Sequence, residues 1–212
     1  MNAWTAVVVA KPWRFAKSRL RTPDRARLAR AFTLDVLEVV TQSAAVGRVA
    51  VVSAERGLVG EARRHQVALV ADRPGGTTGG LNSAVSLGWH WAQRVAPHDP
   101  VVIVPADLPC LTPEILDVTL ATMGRHERAF VPDLARGGTT LVSAVRPVEL
   151  RSAYGPSSAS RHERLGLVRL DGVDHAVRRD VDTLDDLAEA RLLGLGPRTS
   201  AASADTPVAT RP

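Results

Sequence analysis

One cysteine, Cys110, stands among 212 residues, so no intrachain disulfide can form. No apolar run reaches the roughly 18 residues of a membrane span. Met1–Ala10 lacks the basic-then-apolar layout of a signal peptide. These absences together predict a cytoplasmic protein with no membrane partner. Aromatic residues are scarce, at 4%, and none falls in an RNA-recognition pattern; zinc-finger spacing is missing too. The six histidines show no metal-ligand spacing, and no nucleophilic triad is visible. Lysine is nearly absent. Of 27 Lys and Arg residues, only Lys11 and Lys17 are lysines, six positions apart.

What remains is an apolar, mildly basic chain. Hydrophobic residues make up 45%, enough for a sizeable core at this length. The formal charge of +5 and a pI near 10.5 suit either an arginine-heavy composition or acidic ligands. The arginines are scattered and form no stripe, which argues against nucleic acid. The oligomeric state is not legible.

Short apolar runs at Thr5–Ala10, Arg48–Ser53, Val67–Ala71, Pro100–Pro105 and Ala129–Pro132 predict strands. Helices are predicted between them: from a Thr22 cap with Pro23 at the first turn to Gln42, and over Leu58–His65, Asn82–Val95 and Pro113–Met123. Further strands are expected near Thr140–Val145 and Leu167–Leu170, then a helix over Leu184–Leu193 with Gly194 closing it. This alternation predicts an α/β fold around a mostly parallel sheet. One domain over residues 1–196 is expected. The small, polar segment 197–212 reads as a disordered tail.

Ligands of such sheets bind beyond the carboxyl ends of the strands. Four segments fall there. Lys11 to Leu20 carries four cations in nine positions, at 11, 14, 17 and 19. It reads as a triphosphate cradle or as a solvated loop, and it has no Walker glycines. Gly79-Gly80-Leu81-Asn82 opens a helix; Asn82 is a cap or a base contact. Asp107 follows the most apolar strand, where an unpaired carboxylate is costly and a metal ion would offset it. Asp180 and Asp182 point to one face of an extended segment and are candidates to complete a magnesium site with Asp107. Thr183 and Asp186 have capping-box spacing. Cys110 reads as a packed thiol.

The segments VVVAKPWRFAKSRL, GGLNSAV, VPADLP, GGTT, YGPSSASRH and DVDTLDDL, in this order, resemble the guanylyltransferases of coenzyme F420 biosynthesis. That family joins GMP from GTP to phosphoenolpyruvate or 2-phospho-L-lactate. The resemblance spans about residues 5–195. It implies a single-domain nucleotide-diphospho-sugar transferase-like, Rossmann-like fold with a central mixed sheet. It implies Mg²⁺ on Asp107 and Asp180, with Asp182 a further candidate. With this reaction, the basic loop is expected to steady a triphosphate through Lys11 and Lys17, with Arg19, Gly80 and Asn82 on the nucleotide. The arginine- and alanine-rich composition resembles actinobacterial members, which use phosphoenolpyruvate. In those the acceptor is held by residues matching Thr140, Gly155 and Ser158, and the product passes to the next enzyme of the pathway. Ser158 is alternatively a helix cap. The chain has Gly137-Gly138-Thr139-Thr140 where the family usually has Gly-Thr-Gly-Thr, which leaves open whether Thr139 or Thr140 meets the acceptor. Sugar and molybdenum-cofactor nucleotidyltransferases share the fold, but their glycine-rich loop is missing after the first strand. A nucleotide-binding regulator without turnover is the non-enzyme alternative.

Overall fold

The computed structural model describes residues 3–72, 80–135 and 137–206. Most of the glycine-rich loop (73–79), Arg136 and the last six residues lie outside them.

Strand β1 (Trp4–Val9) is buried along its whole length and lies in the middle of the sheet. It pairs in parallel with β2 (Val46–Ser53) on one side and β4 (Val101–Pro105) on the other. Strand β3 (Ala68–Ala71) extends the β2 side in parallel. On the β4 side, β6 (Thr139–Ala144) runs antiparallel between β4 and β5 (Arg128–Pro132), and the short β7 (Val168–Arg169) pairs with β5 in parallel. The order is β3-β2-β1-β4-β6-β5-β7. Six strands share one direction, so the expected mixed, mostly parallel α/β sheet is present.

The β1 residues are nearly all apolar because both faces of the sheet are covered. Ala6 and Val8 face a cluster with Leu34, Leu37 and Val40 of α1 (Arg25–Gln42) and Leu116 and Leu120 of α4 (Pro113–Met123). Val7 and Val9 face the opposite cluster, with Ala84, Val85 and Ala92 of α3 (Leu81–Val95). Gly88 lets α3 lie close to the sheet. A Cβ there would stand 2.2 Å from Val7 Cγ1 and 2.8 Å from Val52 Cγ2. Burying each valine or leucine contributes roughly 1.5–3 kcal/mol. A short helix α2 (Leu58–Arg64) joins β2 to β3.

Three expectations need correction. Helix α1 begins at Arg25 and not behind a Thr22 cap. The Thr22 hydroxyl instead accepts the Asp24 N–H at 3.3 Å, making a turn one step earlier. Within the basic loop, Trp13–Phe15 forms a single 3-10 turn. The segment after 196 is not a structureless tail throughout: Pro197–Ser203 forms a helix packed on α1. Its cap comes from Asp35 in α1, buried to 4% exposure. The Asp35 carboxylate accepts the N–H groups of Arg198 at 3.1 Å and Thr199 at 2.8 Å. Arg191 also donates to the Thr206 carbonyl at 3.0 Å. No helix of the described residues is long and apolar enough to cross a membrane.

Candidate active site

The carboxyl ends of β1 and β4, paired as far as Val9 opposite Pro105, lie at the switch point of the sheet, where the strand order reverses. The amino end of β6 reaches the same edge because that strand runs backwards, with Thr139 opposite Pro132. A cleft of about 530 Å³ opens there, of a size suited to a nucleotide. Its wall includes Lys11, Lys17, Arg19, Asp107, Asp180 and Asp182, together with Thr139, Thr140, Gly155 and Ser158. Segments distant in sequence thus meet at one site.

Lys17 is the centre of that meeting. Its Nζ lies 2.6 Å from Asp107 Oδ2 and 2.8 Å from Asp182 Oδ1, and its side chain is 8% exposed. Burial works against the ammonium, but the two carboxylates outweigh it and hold its pKa above the usual lysine value. The Lys17 backbone is left-handed (φ 56°), a strained conformation for a non-glycine residue. Asp182 is engaged through both oxygens, the second 3.5 Å from Arg19. Burial alone would raise its pKa, yet Lys17, Arg19 and Lys11 keep it low.

The 180–182 segment is tied to Asp107 by the Val181 N–H, which donates to the Asp107 carbonyl at 3.1 Å. Val181 is buried, and the aspartates on either side of it line the cleft, as extended alternation predicts. The capping box of Thr183 and Asp186 opens helix α6 (Leu184–Leu193), and Asp186 also accepts the Asp182 N–H at 3.1 Å. Asp180 is pushed up to about 7, first by burial and then by the charge of Asp107.

Among the described residues, no three His, Cys, Asp or Glu side chains converge as a ready-made metal cluster. The donor set still fits a divalent cation. Asp107 Oδ1 is buried without a hydrogen-bond partner, and Asp180 stands beside it with its charge suppressed. A hard cation on these two carboxylates would satisfy both. Asp182 is occupied by lysine and arginine instead.

The loop across the cleft, around Tyr154 and Gly155, is held by side chains whose role there sequence reasoning did not foresee. Asn82 does not line the cleft. Its amide pairs twice with the Tyr154 backbone, donating to the carbonyl at 2.9 Å and accepting the N–H at 2.8 Å. Gly80 is exposed at the start of α3 and is also absent from the cleft wall. Tyr154 is buried, and its hydroxyl donates to the Thr140 carbonyl at 3.0 Å. Gly155 follows at φ 124° and Ser157 at φ 54°, so the loop turns twice through the left-handed region before helix α5 (Ser158–Arg164). Ser158 is the first residue of that helix and lines the cleft, and Ser157 takes the cap position. His162 in α5 is fully buried and pushed down to about 4, chiefly by burial. Asp133 lines the cleft as well, accepting the Gly138 N–H at 2.9 Å while its Oδ1 is buried without a partner. Buried Arg178 donates to the carbonyls of Pro132 (3.1 Å), Asp133 (3.1 Å) and Asp171 (3.0 Å), clamping the end of β5. Asp133 had a legible signal: it ends an apolar strand (AFVPD) much as Asp107 does (VVIVPAD). Arg178 and His162 had none. Cys110 is buried and pushed up to about 11 by desolvation, a packed thiol as expected.

Residues 28–171 match the model of the MobA-like NTP transferase domain. The chain is 43% identical to the phosphoenolpyruvate guanylyltransferase of Streptomyces coelicolor, covering 95% of this chain and 96% of that one. It is equally identical to that of Streptomyces scabiei, with the same coverage. Among solved structures, 4-diphosphocytidyl-2C-methyl-D-erythritol synthase superposes with a TM-score of 0.61 at 19% identity, covering 91% of this chain and 99% of that one. A nucleotide-diphospho-sugar transferase structure from Desulfovibrio desulfuricans reaches 0.64 at 18% identity, over 89% and 86%. Those two likenesses establish the fold. With the domain match and the near full-length relatives, the chain belongs to the MobA-like NTP transferases and, within them, to the phosphoenolpyruvate guanylyltransferase family.

Proposed function

We propose that this protein transfers GMP from GTP to phosphoenolpyruvate in coenzyme F420 biosynthesis, forming enolpyruvyl-diphospho-5'-guanosine and releasing pyrophosphate. The observation that carries this reading is the convergence of Lys17, Asp107 and the 180–182 segment in one cleft that also holds Thr139, Gly155 and Ser158. An oxygen of the acceptor phosphate attacks the α-phosphorus of GTP. The bond from that phosphorus to the bridging oxygen breaks, and pyrophosphate leaves with the electron pair. The attacking oxygen is already an anion near neutral pH, so no general base is needed. This agrees with a cleft that offers cations and carboxylates but no triad. Asp107 and Asp180 would hold Mg²⁺, which would offset the negative charge that develops during transfer. Lys17, fixed by Asp107 and Asp182, and Lys11 and Arg19 on the same wall, draw and steady the triphosphate. Gly155 and Ser158 receive the acceptor. A cytoplasmic site of action suits a GTP-dependent enzyme.

Pyrophosphate release is the test. The protein is incubated with Mg²⁺, GTP and, in separate arms, phosphoenolpyruvate, 2-phospho-L-lactate and a sugar phosphate, with the next pathway enzyme added to draw off a labile product. Release with phosphoenolpyruvate supports the reading. Release only with phospholactate or a sugar phosphate replaces the acceptor. GTP binding with no release in any arm makes the protein a nucleotide-binding regulator.

A further inference from the structure

His162 is a fully buried polar residue to which the transfer chemistry assigns no part. Its Nε2 lies 2.9 Å from the backbone N–H of Ala153. An amide N–H can only donate, so Nε2 is the ring's acceptor and carries no hydrogen. The ring is neutral at physiological pH. Its one hydrogen is therefore on Nδ1, which faces Thr139 Oγ1 at 3.0 Å and also has the Ser158 backbone carbonyl within reach. A protonated Nδ1 has no lone pair in reach, so the Thr139 hydroxyl cannot give its own hydrogen to the ring. Among the described residues that hydroxyl has no other hydrogen-bond partner, and Thr139 lines the cleft. Its hydrogen is free for a ligand. The Thr140 hydroxyl, by contrast, already donates to the Val131 carbonyl at 3.3 Å and would give up that bond to serve a ligand.

We propose that Thr139 donates its hydroxyl hydrogen to an anionic oxygen of the acceptor acid, and that His162 is the positioning residue that aims it. The inference rests on the reading of this cleft as the site of transfer to a phosphorylated acid. The same ring joins three pieces of the acceptor side: β6 through Thr139, the approach to Gly155 through Ala153, and α5, which carries both His162 and Ser158. Phe130 and Tyr154 hold its plane, with ring centroids 5.5 and 5.4 Å away. A phenylalanine would fill the space but aim nothing.

The test is steady-state kinetics with GTP and phosphoenolpyruvate varied separately, with melting temperature measured on every variant. Thr139→Val raises the acceptor KM by about tenfold or more, the loss of one hydrogen bond to an anion, and leaves the KM for GTP unchanged. Thr139→Ser restores it. His162→Phe raises the acceptor KM as well and adds little on top of Thr139→Val, because the two act through one contact. A normal acceptor KM in Thr139→Val, or a rise in the KM for GTP in its place, overturns the proposal. So does a rise in Thr140→Val with none in Thr139→Val. Should His162→Phe not fold, the Thr139 series decides alone. Calorimetric titration of phosphoenolpyruvate into wild type and Thr139→Val reads the same contact without turnover. A wild type that binds but does not react therefore sinks the proposed function and leaves this inference to the binding difference.

Discussion

Asp107 serves two partners through its two oxygens. Oδ2 holds Lys17 at 2.6 Å, and Oδ1 is buried and free for a cation. Asp107→Asn removes the charge but keeps the shape, and Lys17 retains Asp182. The expected result is a loss of pyrophosphate release of about a hundredfold or more, with an unchanged circular dichroism spectrum. Near-normal turnover would remove Asp107 from the chemistry. Asp180 makes a second, pH-dependent expectation. Its carboxyl is held at about 7 by burial and Asp107, so below that pH a proton competes with the metal. Calorimetric Mg²⁺ affinity should fall as pH drops from 8 to 6, by about tenfold for each unit below 7 if one proton is displaced. It should level off above 7. Asp180→Asn should bind weakly at every pH; a titration curve that stays flat in the wild type would mean that Asp180 is no ligand.

Elements were legible where one segment carried its own pattern. The apolar runs became β1, β2 and β4, and the spacing of Thr183 and Asp186 became a capping box. Elements completed by distant partners were not. The last helix looked like a tail because Pro197–Ser203 is small and polar, and its cap is supplied by Asp35, 164 residues before Thr199. Asp35→Ala leaves the N–H groups of Arg198 and Thr199 without their acceptor. A loss of about 2 kcal/mol in urea unfolding is expected, with kcat/KM unaltered. No change in stability would mean that the helix does not depend on α1. Asn82 teaches the same lesson in the cleft. Its position in a helix-opening GGLN suggested a cap or a base contact, whereas its amide is spent on Tyr154, 72 residues on.

At the scale of the whole molecule, the site depends on how closely α3 lies on the sheet, since α3 carries Asn82 and Asn82 holds the loop before Gly155. Gly88→Val would place side-chain atoms where Val7 and Val52 already are. A loss of about 1–3 kcal/mol in stability is expected from such overpacking, with a higher acceptor KM as α3 shifts. A destabilised variant with an unchanged acceptor KM would separate the helix from the acceptor loop. The sequence by itself determined the α/β class, the strands that end at the cleft, the basic loop and the aspartates beside it. These are local matters of burial, period and charge. Only the tertiary structure decided that Lys17 bridges Asp107 and Asp182, that Asn82 faces Tyr154, and that His162 leaves Thr139 with a free hydroxyl hydrogen. Each of those is a hydrogen-bond or ion-pair partnership between residues far apart in the chain, and a partner's identity is set by which strands and helices lie side by side.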